Sequence, residues 1–250
     1  MSRVRIFKAI EASLRRLKTD YIDIYYIHHV DTQTPLEEML EALNDLVRSG
    51  KVRYIACSNY EAWRLMESLW ISDSRGWARF ECYQPQYNLL TRDIEEELVP
   101  LCQYKGLGVA VWSPLANGLL TGKYRGRGGE IEGTRSADKW VFNPQFFAPN
   151  ADEILGVVLE LSDELSCTPA QVATRWALDQ PTITSVIVGA RNAEQFRDNV
   201  GASRIQLSRE QLDRLDEVSR LPMRYPKSME YNMDERRDGA VDMTSLEDDS

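Results

Sequence analysis

Two segments near opposite ends of the chain combine residue types that can hold a nucleotide. Residues 112–123 read WSPLANGLLTGK, and residues 186–199 read VIVGARNAEQFRDN. Each begins as an apolar strand and continues into a loop of small and hydrogen-bonding residues, and the second loop opens a helix. In parallel α/β folds such strand ends bind phosphates through backbone N–H groups and helix N-termini. Either segment alone could be an ordinary strand-to-helix turn, but two together indicate one extended ligand held between them.

A third candidate residue is His28, which ends the β-rich run at 21–28. Alternation along a strand places it on the same face as Ile24 and Tyr26, at the carboxyl end. In a barrel this position projects into the active-site mouth, where a neutral imidazole can hydrogen-bond a substrate carbonyl. The alternative, which spacing alone favours, is a histidine satisfied by a neighbouring backbone group. His29 faces the other way and is the weaker candidate.

The elements that must position these residues alternate along the chain. The predicted helices cover 4–17, 35–48, 60–70 and 93–105, and the predicted strands cover 21–28, 52–57, 80–85, 107–112 and 184–188. Strands that alternate with helices form right-handed βαβ units and a parallel sheet. A closed barrel needs eight strands, and about five are found. The alternatives are an open five-stranded sheet and a barrel whose front is absent from this sequence.

Helix boundaries carry their own signals. Three tetrapeptides match the capping box, with a hydroxyl at the N-cap and an acid or amide three residues later: Thr34-Pro35-Leu36-Glu37, Thr168-Pro169-Ala170-Gln171 and Ser208-Arg209-Glu210-Gln211. Proline at the first helical position strengthens the first two, because its missing N–H would be unpaired there. Gly50 and Gly106 stand where C-terminal caps are expected.

Composition narrows the class of partner and the compartment. The formal net charge of -9 argues against a nucleic-acid partner, because such proteins need a basic stripe. The four cysteines lack CxxC spacing and are expected to be free thiols in a reducing, cytoplasmic setting, with no metal site. No apolar run approaches ~18 residues, so no membrane span is expected. Residues 1–18 are Arg-rich like a mitochondrial transit peptide, but their helical apolar spacing favours a structural helix.

Five motifs, in order and spacing, resemble those of the aldo-keto reductases. They are IHHVD at 27–31, CSNY at 57–60, YQPQYNLL at 83–90, WSPLANGLLTGK at 112–123 and GARNAEQFRDN at 189–199. The likeness is greatest to the branch that includes bacterial and fungal reductases and potassium-channel β-subunits. It implies a (β/α)₈ TIM barrel over residues 1–220, here a partial barrel lacking about three strands, and an irregular extension over 221–250. It also implies NADP as cofactor and reduction of aldehydes or ketones, so that the partner is a small carbonyl compound.

The resemblance further implies roles for individual residues. His28 resembles the catalytic histidine that orients the carbonyl. The family's groups that hold the nicotinamide carboxamide are matched here by Ser58, Asn59 and Gln84. The aromatic residue that stacks on the nicotinamide ring is matched by Trp112. The residues that resemble the pyrophosphate loop are Ser113, Pro114, Leu115, Asn117 and Lys123, followed by Arg135 as a phosphate contact. The residues that resemble the adenosine pocket are Gly189, Arg191, Gln195, Asp198 and Asn199.

The chemistry of these residue types agrees with the implied roles. Asn59 and Gln84 each offer a donor and an acceptor, as a carboxamide requires. An indole at Trp112 offers the largest flat apolar face for a nicotinamide ring. Arg191 can grip a 2′-phosphate in a fork, at a helix start that also favours anions, which is why NADP is favoured over NAD. Trp112 could instead be a core residue and Lys123 a solvated lysine.

The sequence departs from the family pattern in its catalytic residues. The family's catalytic aspartate, tyrosine and lysine lie on the first strands of its barrel, and residue 1 aligns with the helix before the fourth strand. Two functions therefore compete: an NADP-dependent carbonyl reductase, and a non-catalytic NADP-binding or regulatory subunit. An inactive fragment is a third alternative. An open sheet would expose apolar edges, which raises the prospect of a homo-oligomer.

A long loop at 124–150 is glycine-rich at first and then aromatic. Loops of this length are commonly lids or binding loops, and in the family this loop folds over the cofactor. The alternative is an aromatic cluster that merely packs the loop down.

Overall fold

A computed structural model describes residues 1–124 and 150–229. The strands are β1 Ile22–Ile27, β2 Val52–Ser58, β3 Phe80–Gln84, β4 Gly108–Trp112 and β5 Ser185–Ile187. The helices are α1 Arg3–Leu17, α2 Leu36–Arg48, α3 Ala62–Arg75, α4 Leu98–Lys105, α5 Ala151–Glu164, α6 Pro169–Asp179, α7 Ala193–Gly201 and α8 Arg209–Val218. All belong to one compact unit, Met1–Ser219, and a separate unit begins at Arg220. In that second unit the described residues end at 229.

The five strands form one parallel sheet in the order β1-β2-β3-β4-β5. Each returning connection carries a helix, as parallel pairing requires. In the described residues β1 pairs with β2 alone and β5 with β4 alone, so the two outer strands do not meet. The curled sheet confirms the prediction of a partial (β/α) barrel.

Helices cover one face of this sheet and bury its apolar side chains. Ile55 and Cys57 of β2 are fully buried, as are Val109 and Val111 of β4 apart from traces of exposure. On the opposite face, Ile24 and Tyr54 are register partners across β1 and β2, and they are 42% and 56% exposed. The alternation therefore gives one packed face and a second face that, in the part of the chain that is described, exposes Ile24 and Tyr54 but buries Ala56 and Ser58 nearer the strand ends.

One of the three predicted capping boxes is wrong. The helix α2 begins at Leu36 with Pro35 at its N-cap, and no side chain caps it. The hydroxyl of Thr34 instead donates to Asp31 Oδ2 at 2.8 Å, and Thr34 lies one residue before the N-cap, so its oxygen accepts no hydrogen bond from the helix backbone. The boxes at Thr168 and Ser208 are confirmed, each with both of its reciprocal hydrogen bonds.

The predicted helix at 93–105 is divided in the structure. A single 3₁₀ turn covers Asp93–Glu95, and α4 starts afresh at Leu98. Pro100 gives the physical reason, because it has no N–H to donate to residue 96 and its ring would clash with that carbonyl. Helix α5 was not predicted, although Ile154, Val158 and Leu161 follow one another at helical spacing within it.

Two further observations concern a membrane span and a metal site, neither of which is expected from the sequence. Over 1–124 and 150–229, none of the helices is both long enough and apolar enough to cross a bilayer. Within the same ranges, no cluster of three or more histidine, cysteine or acidic side chains could hold a metal ion.

The free thiols generate a prediction about alkaline stability. Burial, with a smaller effect of Cys82, raises the pKa of Cys102 to about 12, and burial holds the pKa of Cys57 well above the ordinary 9.0. Both thiols ionise more easily in the unfolded chain, so their contribution to stability is complete below about pH 9 and is lost progressively as the pH rises from there toward the folded-state pKa values. We expect the free energy of unfolding, measured by urea titration, to fall between about pH 8 and about pH 10.

Replacement of Cys102 by alanine is the control for this effect. It should reduce the alkaline loss of stability, because one of the two buried thiols no longer titrates. A thiol reagent should modify the half-buried Cys82 and Cys167 in the native protein before it reaches Cys57. Equal reaction rates for all four thiols would contradict this account.

Candidate functional site

The carboxyl ends of all five strands lie along one edge of the sheet. Register pairs Ser58 with Gln84 and Trp112 with Ile187, so the residues that follow these strands are neighbours. The residues predicted to surround a nicotinamide are therefore brought together at this edge, because they lie at the ends of β1 to β4. The two segments that the sequence marks as candidate nucleotide-binding loops follow β4 and β5, and these two strands are adjacent.

Asn59 ties three of these strand ends together. Its backbone is left-handed, with φ at 58°, a conformation that asparagine tolerates better than most residues. Its amide nitrogen donates to the carbonyl of His28 at 3.0 Å, and its amide oxygen accepts from Trp112 Nε1 at 3.3 Å. An amide has two protons and two lone pairs, so one of each is left after these contacts. The indole of Trp112 is thus fixed by a bond from a neighbouring strand.

Ser58 and Gln84 form a second link between strand ends. The buried hydroxyl of Ser58 donates to the carbonyl oxygen of Gln84 at 2.6 Å. Beneath Gln84, the hydroxyl of Tyr26 lies 3.2 Å from Cys82 Sγ. Burial, followed by the hydrogen bond with Cys82, raises the pKa of Tyr26 far above its ordinary value, so its hydroxyl stays neutral.

His28 and His29 differ in their surroundings. His28 follows β1 directly and its side chain is exposed at the mouth of the site. Among the described residues, none exchanges a hydrogen bond with its imidazole. The ring of His29 does accept a backbone hydrogen bond, from the N–H of Val30 at 2.9 Å. The backbone-satisfied histidine that spacing favours is therefore His29, whereas the imidazole of His28 faces solvent.

The segment after β3 braces Trp112 from the other side. Trp112 N–H donates to the carbonyl of Pro85 at 2.9 Å, and its carbonyl accepts from Tyr87 N–H at 3.2 Å. The fully buried Asn88 donates from Nδ2 to the carbonyl of Ser113 at 3.0 Å. Asn88 was not among the predicted site residues, although a polar amide inside the apolar run YNLL was a sequence signal for a buried hydrogen-bonding role.

The loop after β4 holds a cation above an unusual backbone. Five of its residues have positive φ, namely Ser113, Ala116, Asn117, Gly118 and Gly122. At Gly118 the space that a Cβ would fill lies 2.6 Å from Lys123 Nζ, so the lysine folds back over the loop. Its ammonium also lies 4.7 Å from the ring centroid of Tyr124. Backbone of this kind with a cation above it makes a concavity suited to an anion. Pro114 is buried and Leu115 half-buried beneath it.

The loop after β5 leads into the N-terminus of α7. Asn192 caps this helix, since its side-chain oxygen accepts from Gln195 N–H at 2.9 Å. The side-chain oxygen of Gln195 accepts from the backbone N–H of Arg191 at 3.0 Å. The buried Asn199 reaches back and donates to the carbonyl of Gly189 at 3.2 Å. These contacts fix the backbone of Arg191, whose residue surface is exposed beside the helix start.

Two of the predicted site residues stand apart from this arrangement. Asp198 turns toward α6, where both of its carboxylate oxygens lie 3.1 Å from the hydroxyl of Thr168. Its carbonyl accepts from Gln171 Nε2 at 2.9 Å, so it joins α7 to the start of α6. A cofactor contact for Asp198 stays a prediction. Arg135 and most of the long loop at 124–150 lie outside the described residues.

Comparisons with known proteins converge on one family. A family profile described as the aldo/keto reductase family matches residues 1–220. The uncharacterized oxidoreductase YrpG of Bacillus subtilis is 38% identical over 87% of this chain. The versiconal hemiacetal acetate reductase of Aspergillus parasiticus and a Schizosaccharomyces pombe protein named as a voltage-gated potassium channel β-subunit are each 35% identical over 87% of the chain. The aligned regions cover 64%, 62% and 65% of these relatives, so the chain spans less than two thirds of their length.

The backbone of the loop after β4 generates a paired prediction. We expect Gly118→Ala to lower the free energy of unfolding by about 1–2 kcal/mol, because alanine is strained at a φ of +97° and its methyl group meets Lys123. Gly156→Ala is the matched control. Gly156 lies inside α5 with open space around its Cβ position, so the same change should stabilise by about 0.5–1 kcal/mol.

Urea titration monitored by circular dichroism measures both changes. Opposite signs for the two variants are the expected outcome. If Gly118→Ala were as stable as the unmodified chain, the left-handed conformation at that position would not be held by the loop.

Proposed function

Because the chain belongs to the aldo/keto reductase family, we propose that it binds NADP and orients an aldehyde or ketone for reduction by hydride transfer. The observation that carries this proposal is the adjacency of β4 and β5. The cation-bearing loop after β4 and the capped helix after β5 leave neighbouring strands, and His28 and Trp112 lie at the same edge. One dinucleotide could contact all of these features at once.

The fit of a nicotinamide is supported by the geometry around Trp112. The Asn59 amide and the backbone of the segment after β3 hold this residue from two sides, so its indole has little freedom to turn. A fixed flat ring is suited to stacking against a nicotinamide. Asn59 retains one proton and one lone pair for a carboxamide. When bound, the reduced nicotinamide would supply the hydride, the exposed imidazole of His28 would hydrogen-bond and orient the carbonyl oxygen, and that oxygen would take its proton from water.

The fit of the pyrophosphate and the fit of a 2′-phosphate are supported by separate cations. Lys123 lies over the left-handed loop after β4 and suits the pyrophosphate, which carries two charges. Arg191 lies beside the N-terminus of α7, whose free N–H groups and dipole favour an anion. A guanidinium can grip a phosphate in a fork, and this favours a nucleotide with a 2′-phosphate.

A second function rests on one observation. The Schizosaccharomyces pombe relative carries the name of a potassium-channel β-subunit and is as similar to this chain as the Aspergillus reductase is. In that case the same site would bind NADP in a regulatory subunit with little or no turnover. Consumption of NADPH in the presence of a panel of aromatic and aliphatic aldehydes distinguishes the two functions, since both require binding and one alone requires turnover.

Cofactor titration tests the binding that both functions share. We expect NADPH to bind with at least about tenfold higher affinity than NADH, because the 2′-phosphate adds a charge-assisted contact. Isothermal titration measures both dissociation constants. Tryptophan fluorescence should be quenched on binding, and Trp112→Phe should weaken binding about tenfold and remove most of the quenching.

Trp70→Phe is the control for the fluorescence signal. Trp70 is exposed in the second half of α3, away from the helix start that follows Asn59, so its loss should leave the quenching on titration unchanged. Absence of binding by folded protein to either nucleotide would overturn the proposed function.

The role of Arg191 is tested by its replacement with methionine. This change removes the charge and keeps most of the side-chain length. We expect the dissociation constant for NADPH to rise about 10- to 100-fold and that for NADH to change less than about twofold. Arg197→Met is the matched control on the same exposed helix and should change neither constant. Equal losses for NADPH and NADH would contradict a 2′-phosphate contact by Arg191.

A further inference from the structure

An ionic cluster with a buried arginine at its centre lies behind the segment that braces Trp112. At its centre is Arg92, which is 8% exposed. Its guanidinium makes a bidentate pair of hydrogen bonds to Glu95, from Nε to Oε1 at 2.8 Å and from Nη2 to Oε2 at 3.1 Å. Its Nη1 donates to Ser219 Oγ at 2.7 Å and to the side chain and carbonyl of Asp216 at 3.2 Å. Arg92 therefore joins the segment after β3 to the end of α8.

Two aromatic residues complete the cluster. The indole of Trp176, on α6, donates to Asp216 Oδ1 at 2.9 Å, and its ring centroid lies 5.1 Å from the Arg92 guanidinium. The ring of Tyr87 packs on that indole, with centroids 5.1 Å apart. The hydroxyl of Tyr87 donates to Glu95 Oε1 at 2.6 Å. Burial and then the charge of Glu95 raise the pKa of Tyr87, so this hydroxyl remains a neutral donor.

Tyr87 carries the connection onward to the candidate site. Its backbone N–H is the group that donates to the carbonyl of Trp112. The next residue, Asn88, holds the carbonyl of Ser113 and closes a tight turn with Thr91, immediately before Arg92. The turn from Tyr87 to Arg92 is thus fixed at one end by the ionic cluster and at the other by Trp112 and Ser113.

The energetics favour a positioning role for this cluster. Removing the Arg92 guanidinium from water is costly even though Glu95 and Asp216 stay partly exposed, and apolar residues of similar volume often stabilise a core at least as well. A fork of hydrogen bonds differs from apolar packing in that it defines distances and directions. The backbone of Trp112 is therefore held through its carbonyl by a chain of directional bonds that runs Arg92, Glu95, Tyr87.

We propose that Arg92 is a positioning residue that sets the orientation of Trp112 and of the loop after it, and thereby the affinity of the site for nicotinamide nucleotides. It acts through Glu95 and Tyr87 and does not touch the ligand. The affinity part of this inference rests on the proposed function. The orientation part does not, because it concerns the ligand-free protein.

Tyr87→Phe breaks the chain at one atom and keeps the ring on Trp176. Tyr83→Phe is the matched control, because Tyr83 is equally buried, at 2%, and its hydroxyl donates one hydrogen bond of 2.8 Å to the carbonyl of Tyr60. We expect similar falls in the urea midpoint for the two variants. We expect the dissociation constants for NADPH and NADH to rise together, about fivefold, in Tyr87→Phe alone.

A second pair of variants tests the arginine itself. Arg92→Lys keeps the charge but loses the fork, and should raise both dissociation constants about fivefold while the ratio of NADPH to NADH affinity stays constant. Arg214→Lys is its control, since Arg214 anchors α8 to α5 through Glu160 and Glu164 without reaching the turn at Tyr87. Equal effects of the two substitutions would overturn the proposal and leave a general stabilising role.

Fluorine NMR of the chain labelled with 5-fluorotryptophan separates this inference from the proposed function. Trp112→Phe identifies the Trp112 resonance without any ligand. We expect that resonance to shift or broaden in Tyr87→Phe and to be unchanged in Tyr83→Phe. An unmoved Trp112 resonance in Tyr87→Phe would overturn the inference even if NADPH binds well. A moved resonance in a chain that binds no nucleotide would support the orientation part and refute the proposed function.

Discussion

Parallel strands must all end at the same edge of their sheet, and every feature of the candidate site is a consequence of that requirement. Backbone groups beyond the last ladder bond of each strand have no partner in the sheet, so other groups must satisfy them. Here the side chains of Asn59, Ser58 and Asn88 bond to carbonyls of neighbouring strand ends. The edge is thereby rigid before any ligand arrives, and residues far apart in sequence are held within hydrogen-bonding distance.

This satisfaction of strand ends divides the predicted site residues into two kinds. Asn59 and Asn199 are engaged with carbonyls of the chain itself, whereas His28, Arg191 and Lys123 are exposed. Residues of the first kind determine where the backbone lies, and those of the second kind are able to meet a partner in solution. The amide side chains that hold the backbone of this edge are therefore different residues from the exposed cations and imidazole, although both sets lie in the same motifs.

The sequence predicted the order and type of most elements because their periods were distinct, and the family match confirms the resemblance drawn from five motifs. It failed where local signals conflicted. At Thr34 the helix begins one residue later than the capping pattern predicts, with Pro35 at the N-cap, and Pro100 interrupted an otherwise helical run. Motif spacing also could not reveal Arg92, because its partners Asp216 and Ser219 come from a distant helix. Which amides bond to their own chain likewise depends on tertiary packing.

The hydrogen bond from Arg92 to Asp216 spans 124 residues of sequence, and this separation bears on the order of folding. During synthesis the strands β1 to β4 and the turn at Tyr87 emerge long before α8 does. Loop closure on this scale is slow and is rewarded only when the last contacts form. The brace behind Trp112 is accordingly among the late events, and a chain that has not yet docked its final helix keeps a loosely held indole. Under the proposed function, nucleotide affinity would then report whether the whole unit through Ser219 is assembled.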